Sequence, residues 1–306
     1  MTAALDPLAP YPVGQYLDDL VRVVRAEEDR RPSVVRTEHF RLHRTGRRIE
    51  VSHRLRPDQL DNGLTGLLID ELFAPGWLAG QDVFERVFTG VVRSTVADPG
   101  AAWGTFYANT LAHLREPSGA PPLIAGIAPV YARVLRLVPP GSVLDLGSCF
   151  GFLPLMLAER PRTTVVASDL VAGTTRLLAK VAAERGIPLR TLVCDATRVP
   201  LPDGCVDTVT VVHLLEHLDP AQGCAVLAEA TRLARSAVIV AVPFEEVPAA
   251  DYGHVRRFDL PALAALGAAT GWHHKVSAFH GGWLVLDRSG RSKSHQDSRH
   301  STRSTR

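Results

Sequence analysis

The chain has 306 residues, of which 46% are hydrophobic and 22% are charged, as in an ordinary globular protein. This composition excludes a disordered chain, a collagen-like fibre and a coiled-coil rod, and the length allows one large domain or two small ones. No uncharged apolar run approaches the roughly 18–20 residues that a membrane-spanning helix needs. The first residues lack a basic segment followed by an apolar stretch, so we predict no secretory signal and a cytoplasmic protein. The four cysteines match neither a disulfide framework nor a zinc motif, and we predict reduced thiols.

The net charge of +2 comes from the C-terminal segment. Residues 289–306 carry a net charge of +4, which leaves −2 for residues 1–288. The main body therefore lacks the basic surface that nucleic-acid binding requires, and we predict neither a nucleic-acid nor a membrane partner. Because residues 289–306 contain no apolar anchor, we predict that they form a disordered basic tail.

Residues 1–120 are predicted to form a smaller N-terminal α+β region of a hairpin and helices. Apolar residues at helical spacing predict a helix over 14–31, and alternation around Thr45-Gly46 predicts a β-hairpin over 40–55. Further helices are predicted over 57–73, 83–92 and 103–114, and a helix over 123–137 leads into the second part of the chain. We place the boundary near the linker 117–122, and we expect the N-terminal region to cap an acceptor site or to mediate a homodimer. Three histidines of this region are predicted to lie at the surface, namely His39, His43 and His53.

From residue 121 to residue 288 short apolar runs alternate with helical patterns, and this segment is predicted to form an α/β domain. Short apolar runs predict strands over 143–146, 164–168, 189–193, 208–212 and 236–242. Helical patterns separate them over 152–159, 173–185 and 221–234, and one more helix over 261–270 precedes an antiparallel pair over 275–279 and 283–287. Because each of the first strands is almost wholly apolar, the pattern predicts a parallel sheet with helices on both faces.

Three carboxylates each follow one predicted strand, namely Asp145, Asp169 and Asp195. Ligands of open α/β sheets bind beyond the carboxyl ends of the strands. A single aspartate at such a position is usually a helix cap, but three along one edge suit a ligand that carries an ammonium group, a ribose and an adenine amine. A loop with Gly147 and Gly151 follows the first strand, and glycine lets the backbone approach a ligand closely.

The segment from about 123 to 287 resembles the class I S-adenosylmethionine (SAM)-dependent methyltransferases, whose fold is a Rossmann-like sheet. The resemblance lies in the loop 145–151 and in His213-Leu-Leu-Glu-His-Leu218 after the fourth strand. It implies that the methionine part of SAM binds at Asp145, Gly147, Ser148 and Gly151. It further implies ribose contacts at Asp169 and Leu170, adenine contacts at Asp195 and Ala196, and a place for His213 at the cofactor pocket. The family usually has glycine where this chain has Cys149, so the backbone there should approach the cofactor less closely.

The acceptor side of such a reaction requires a base. Methyl transfer from a sulfonium is an in-line displacement, and an alcohol acceptor must lose its proton. A histidine of near-neutral pKa suits this role, and we predict His254 as the base, with His217 and Glu216 as further catalytic residues. By the resemblance, His254 lies in the loop that borders the acceptor pocket. The alternative for His213 and His217 is a structural role in the turn that shapes the cofactor pocket.

Three other readings of the sequence compete with a methyltransferase. An NAD-dependent dehydrogenase shares the sheet, but the chain lacks G-x-G-x-x-G and Asp145 would repel a pyrophosphate. A degenerate binding or scaffold protein is the non-enzyme alternative, and Cys149 is its support. The motif His213-x-x-Glu216-His217 also spells H-x-x-E-H of zinc proteases, but such a site needs a helix and a third ligand downstream, so we predict no metal.

The acceptor class follows only from a more distant resemblance. The whole chain is similar to the methyltransferase family associated with the mycofactocin redox-cofactor pathway, which acts on a glucose oligosaccharide. This resemblance implies O-methylation of a sugar hydroxyl. We therefore expect a small-molecule or glycan acceptor.

Overall fold

The computed structural model describes residues 5–9, 12, 14–26, 32–46, 48–96, 98–249 and 252–288. The segment predicted to be a disordered tail, residues 289–306, lies outside the described residues, so that prediction remains open. Among the helices of the described residues, none combines the length and the hydropathy that crossing a membrane would take.

The N-terminal region contains a five-stranded sheet with the order β1-β2-β5-β4-β3. Its strands are β1 (Gln15–Leu17), β2 (Val21–Arg25), β3 (Val35–Arg36), β4 (Phe40–Thr45) and β5 (Arg48–His53). β4 and β5 pair antiparallel, as the predicted hairpin requires. β2 pairs parallel with β5, so the sheet is mixed and β5 lies at its centre.

The helix predicted over 14–31 is wrong. The described part of this segment forms β1 and β2, which pair antiparallel. The Asp18 carboxylate accepts the backbone N–H groups of Leu20 and Val21 at 2.8 and 2.7 Å, and these bonds close a turn between the strands. Val21 and Val23 are both buried, and β-branched side chains at every second position favour a strand with one buried face.

The helices predicted over 83–92, 103–114 and 123–137 are confirmed with longer bounds, whereas the helix predicted over 57–73 is divided into shorter pieces. A 3₁₀ turn (Pro57–Gln59) precedes α1 (Leu64–Leu68), which continues as a π-helical turn over Ile69–Phe73. The three long helices are α2 (Gln81–Thr95), α3 (Pro99–Arg115) and α4 (Pro122–Leu137). α2 packs closely on the sheet at Gly90, where a Cβ atom would lie 2.4 Å from Cγ2 of Val23.

The surface positions predicted for the histidines of this region are wrong for two of the three. His43 and His53 are buried, and His39 is half-buried with Nδ1 2.5 Å from Oε1 of Glu71. His53 ends the central strand under α2, where its Nε2 lies 2.8 Å from Oγ of Ser94. His53 shares a face of the sheet with Val51, whereas His43 lies on the opposite face, where its Nδ1 is 3.0 Å from the carbonyl oxygen of Pro32. Polar contacts make the burial of both rings tolerable.

The second sheet has seven strands in the order β11-β12-β10-β9-β6-β7-β8. The strands are β6 (Gly141–Leu146), β7 (Thr163–Asp169), β8 (Leu189–Val193), β9 (Val206–Val212), β10 (Ala234–Val242), β11 (His273–Ala278) and β12 (Gly282–Asp287). β6 to β10 are parallel, and β12 is antiparallel to both of its neighbours. The helices between them are α5 (Phe152–Ala158), α6 (Ala172–Glu184), α7 (Pro220–Leu233) and α8 (Leu260–Ala269). This is the predicted Rossmann-like α/β architecture.

The strand order reverses direction between β6 and β9. From β6 the chain builds outward through β7 to β8, and it then returns to the other side of β6 with β9 and β10. A crevice opens beyond the carboxyl ends of the strands at such a switch point, and it is where ligands of open α/β sheets bind.

One hydrophobic core crosses the predicted boundary near residue 120. It joins buried side chains of the N-terminal sheet and helices to those of α5, β7 and α6. Phe150, in the loop before α5, lies with its ring centroid 5.4 Å from that of Phe88 and 5.3 Å from that of Phe106. The Tyr107 hydroxyl donates to the carbonyl oxygen of Phe150 at 2.7 Å. The N-terminal region therefore supports the loop that follows the first strand of the parallel sheet.

Candidate functional site at the carboxyl edge of the parallel sheet

The three predicted carboxylates lie along one edge of the sheet. Asp145 is the second-last residue of β6, Asp169 ends β7, and Asp195 comes two residues after β8. These strands are parallel neighbours, so their carboxyl ends meet at the same edge. The backbone N–H of Cys194 donates to the carbonyl oxygen of Asp169 at 3.1 Å, which continues the pairing to the start of the third loop.

The loop 147–151 turns sharply through left-handed backbone conformations. Gly147, Cys149 and Gly151 have φ angles of +73°, +49° and +76°. Cys149 adopts the left-handed conformation although an L side chain there costs about 1–2 kcal/mol relative to glycine. At Gly151 a Cβ atom would lie 2.3 Å from Cδ2 of Leu178, so that position requires glycine on steric grounds as well. The loop thus presents backbone groups to the crevice.

Asp145 holds this loop from below. Its carboxylate is 3% exposed and accepts hydrogen bonds from Oγ1 of Thr210 at 2.6 Å and from Oγ of Ser148 at 2.7 Å. Burial raises the pKa of Asp145 to about 6, and the two hydroxyl donors oppose that rise. The side chain therefore fixes the loop, and it places negative charge beneath the crevice only above that pH.

Asp169 is held open toward the crevice. Oδ2 accepts the backbone N–H of Cys149 at 2.8 Å, and Oδ1 accepts the backbone N–H of Val171 at 2.9 Å. A carboxylate offers about four lone-pair sites, so two remain for a ligand. The next two side chains are exposed, Leu170 at 71% and Val171 at 46%. An acceptor pair beside exposed apolar surface fits a ribose that carries a flat base.

Asp195 lies in the third loop and is exposed. Its Oδ1 accepts both the backbone N–H and the Oγ1–H of Thr197 at 2.8 Å, and these bonds lower the pKa of the carboxyl group. Val193, two residues earlier, is 48% exposed. The second oxygen of Asp195 remains available to a polar edge of a ligand whose face rests on the apolar side chains.

A second group of polar side chains follows β9. His213 has a left-handed backbone with φ +53°, and the 3₁₀ turn Leu215–His217 comes directly after it. A Cβ atom at Gly147 would lie 2.8 Å from Cδ1 of Leu214, so this turn adjoins the glycine loop. The backbone N–H of Val255 donates to the carbonyl oxygen of Glu216 at 2.8 Å, which brings the segment after β10 to the same place.

Glu216 is buried and His213 is half-buried, and neither side chain is fully hydrogen-bonded. Glu216 is 1% exposed, and within the described part of the chain neither carboxylate oxygen has a hydrogen-bond partner. Nδ1 of His213 lies 3.5 Å from Oε1 of Glu216, and Nε2 of His213 is buried with no partner among the same residues. Burial raises the pKa of Glu216 to about 8 and lowers that of His213 to about 4.

His254 and His217 complete this group. Nδ1 of His254 lies 2.9 Å from both carboxylate oxygens of Glu245, and Nδ1 of His217 lies 3.3 Å from the carbonyl oxygen of Gly253. The two imidazole centroids are 4.9 Å apart at an interplanar angle of 82°. Ligand-type atoms of Glu216, His217 and His254 all lie within 4.8 Å of one another. The structure therefore brings the three residues predicted to be catalytic into one cluster.

Glu245 and Phe150 are site residues that the sequence analysis missed. Glu245 comes three residues after β10, so the rule that located the other strand-end carboxylates also applies to it. Phe150 has no such signal, because its role depends on aromatic side chains from the N-terminal helices.

Comparison with known proteins agrees with this geometry. Residues 143–237 match a family model described as a methyltransferase domain. The chain is 40% identical over 73 residues to demethylmenaquinone methyltransferase of Thermus thermophilus, a match that covers 24% of this chain and 33% of that protein. This chain thus aligns with only a third of the length of that relative.

Two solved structures show partial similarity. Magnesium protoporphyrin IX methyltransferase of Synechocystis, solved with SAH (S-adenosylhomocysteine), gives a TM-score of 0.46 at 16% identity and covers 54% of this chain and 85% of that one. A SAM-dependent methyltransferase of Aquifex aeolicus gives a TM-score of 0.42 at 17% identity, over 51% and 87% of the two chains.

Residues 143–237 match a methyltransferase domain, and the sheet order and the glycine loop agree with the resemblance found in the sequence. This confirms the class that the sequence resemblance implies. Methyltransferases of this class use SAM as their cofactor.

Proposed function

We propose that this protein transfers the methyl group of SAM to a hydroxyl group of a small molecule or glycan. The observation that carries the proposal is the alignment of a left-handed glycine loop and three strand-end carboxylates along the carboxyl edge, inside the matched methyltransferase segment. A nicotinamide cofactor would place its pyrophosphate at this loop, directly above Asp145, and like charges would repel there.

The cofactor contacts follow the edge of the sheet. The loop from Gly147 to Gly151, with Ser148, receives the methionine part of SAM, and Asp145 attracts its cationic groups from beneath. Asp169 accepts the ribose hydroxyls with its free lone pairs, and Leu170 supports the adenine ring. Asp195 and Ala196 face the polar edge of the adenine. His213 borders the cofactor through the turn that contacts Gly147.

The reaction is an in-line displacement at the methyl carbon. The acceptor oxygen forms a bond to this carbon as the carbon–sulfur bond breaks, and the electron pair stays on sulfur to give SAH. The hydroxyl proton must leave, and the cluster around Glu216 adjoins the glycine loop where the methyl group would lie. Without a bound cation, His254 is the base, because Glu245 holds Nδ1 and leaves Nε2 free to accept a proton.

The acceptor class has support from the loop after β10. Phe244 and Val255 are exposed beside the cluster, together with the charged Arg257. Such a mixed surface suits an acceptor with an apolar face and several hydroxyls, as a sugar has. The relative from Thermus thermophilus is named for a quinone acceptor, so a quinone-type ring is the second acceptor to test.

The experiment is titration with SAM by calorimetry, followed by incubation with labelled SAM and a panel of sugars, phenols and quinones. We expect SAM binding and a mass gain of one methyl group on a hydroxylated acceptor. A degenerate scaffold would not bind SAM, and a protein that binds NAD instead would contradict the proposal. Methylation of a nitrogen or carbon atom would support methyl transfer from SAM and exclude a hydroxyl group as the acceptor.

A further inference from the structure

The Glu216 cluster has the composition of a metal site. One carboxylate and two imidazoles are ligands that zinc and related divalent transition metals prefer. Their ligand-type atoms lie within 4.8 Å of one another, so small side-chain movements would bring them around one ion. We propose that Glu216, His217 and His254 bind a single divalent transition-metal ion of the zinc type, although the sequence alone led us to predict none.

The two histidines make the hydrogen bonds that metal-bound histidines usually make. A metal-bound histidine usually donates its second ring N–H to a carboxylate or a backbone carbonyl, which fixes the tautomer. Here Nδ1 of His254 donates to Glu245, and Nδ1 of His217 donates to the carbonyl oxygen of Gly253. Both rings therefore keep Nε2 for an ion. The downstream ligand that H-x-x-E-H lacks in the sequence is supplied by His254.

Glu216 is an independent sign that a group is bound here. A buried carboxyl group without hydrogen-bond partners is costly, and native proteins rarely leave one. Neither oxygen of Glu216 has a hydrogen-bond partner among the described residues, and Nε2 of His213 beside it is also unpartnered. A divalent cation would satisfy the carboxylate, and together with the Glu245 carboxylate the site would be electrically neutral. Because His217 is exposed, an ion can enter from solvent.

A second group of possible ligands gives the matched control. Glu38, His39 and Glu71 also lie within 4.8 Å of one another. His39 and Glu71 are hydrogen-bonded to each other at 2.5 Å, so their polar atoms are already satisfied. The proposal assigns the ion to the Glu216 cluster and not to this second group.

The consequence for catalysis depends on the proposed function. Three protein ligands leave one position of a tetrahedral ion open, as in catalytic zinc sites. The acceptor hydroxyl would bind there and lose its proton to water, because a bound cation lowers the pKa of an oxygen ligand. The resulting oxygen attacks the methyl carbon and SAH leaves as before. With the ion bound, His254 is a ligand, and the cation takes over the task of ionising the hydroxyl.

The test is calorimetric titration of the chelator-treated full-length protein with ZnCl₂, with cobalt(II) absorption as a second measurement. We expect one equivalent of Zn²⁺ and visible absorption bands typical of a tetrahedral Co²⁺ site. Glu216→Gln and His217→Ala should each weaken Zn²⁺ binding at least 100-fold, and Glu245→Gln should weaken it about 10–100-fold. His39→Ala should bind like wild type.

The inference is overturned if the wild-type protein binds no Zn²⁺, or if His39→Ala loses the ion while Glu216→Gln and His217→Ala keep it. His217 is exposed, so its variant remains informative should the buried Glu216→Gln variant fold poorly. SAM binding is measured separately on the same samples. Zinc binding without SAM binding would contradict the proposed function alone, and SAM binding without zinc binding would contradict the metal site alone.

Discussion

The backbone N–H of Cys149 donates to Oδ2 of Asp169 at 2.8 Å, and this bond ties the glycine loop to the end of the neighbouring strand β7. It secures the one non-glycine residue of the loop that has a left-handed backbone. The departure from the family pattern at this position is therefore accommodated by the fold. The presence of Cys149 in place of glycine therefore gives little support to the alternative hypothesis of a degenerate scaffold protein.

Asp169→Ala should weaken SAM binding by about 1–3 kcal/mol, because the change removes charge-assisted hydrogen bonds to two hydroxyl groups. The melting temperature should fall modestly, because the change also removes the acceptors of the backbone N–H groups of Cys149 and Val171. Calorimetric titration with SAM measures the effect. Asp203→Ala is the control, because Asp203 is a highly exposed carboxylate that pairs with Arg232. Equal SAM affinity in the Asp169 and Asp203 variants would refute the ribose assignment.

SAM affinity should fall as the pH is lowered from about 7 to 5. Burial raises the pKa of Asp145 to about 6, so the side chain is ionised above that pH and attracts the cationic cofactor. Below it the carboxyl group is protonated and this attraction is lost. The decline cannot exceed about tenfold per pH unit for one group. Asp145→Asn should bind more weakly at pH 7 and show a flatter profile; a variant with the wild-type slope would assign the pH dependence elsewhere.

With no cation bound, His254→Ala should lower turnover by about 10²–10⁴-fold, the usual contribution of a group that removes a hydroxyl proton. SAM affinity should stay near the wild-type value, because the proposed cofactor contacts lie on other strands. Initial rates with saturating SAM and acceptor measure the effect, and the exposed His273→Ala is the control. Full turnover in the His254 variant would remove this residue from the catalytic group.

Stability should decrease as the pH falls below about 6.5, and buried His53 should account for part of the decrease. Burial lowers the pKa of His53 to about 3, so the folded state keeps the ring neutral while the unfolded chain takes up a proton. The stabilising contribution of neutral His53 is complete above about pH 6.5, the pKa of histidine in the unfolded chain. It is lost as the pH falls from there toward the pKa of the folded state, by at most about 1.4 kcal/mol per pH unit. Denaturant unfolding of wild type and His53→Gln at pH 7 and 5 measures this, and the variant should lose less stability between the two.

The parallel sheet could be predicted because its strands carry their own signal. The parallel strands are five to nine residues long and contain apolar runs, and helical patterns separate them except between β8 and β9. Strands β1 and β2 are harder to predict from the sequence. The apolar residues at every second position of the short β2 also fit helical spacing when Tyr16 and Leu20 are included. The turn at Asp18, formed by one side chain bonded to two backbone N–H groups, decides between the two.

The candidate site could be predicted where it depends on position along a strand. Asp145, Asp169 and Asp195 are found by that rule, and the turn with Glu216 is found by its motif. The pairing of Glu245 with His254 depends on the path of the loop after β10, which no local pattern specifies. The contact between this loop and Glu216 is likewise a matter of tertiary packing.

The aromatic contact between Phe150 and the N-terminal helices has a consequence for engineering. The loop 147–151 packs its Phe150 ring against Phe88 and Phe106, so it should not be transplanted with the α/β half alone. A fragment starting at residue 121 would lack Phe88, Phe106 and the Tyr107 hydroxyl, and it would expose the Phe150 ring to solvent. The N-terminal region thus holds the loop 147–151 in place, and chimeras of this protein should exchange the two parts together.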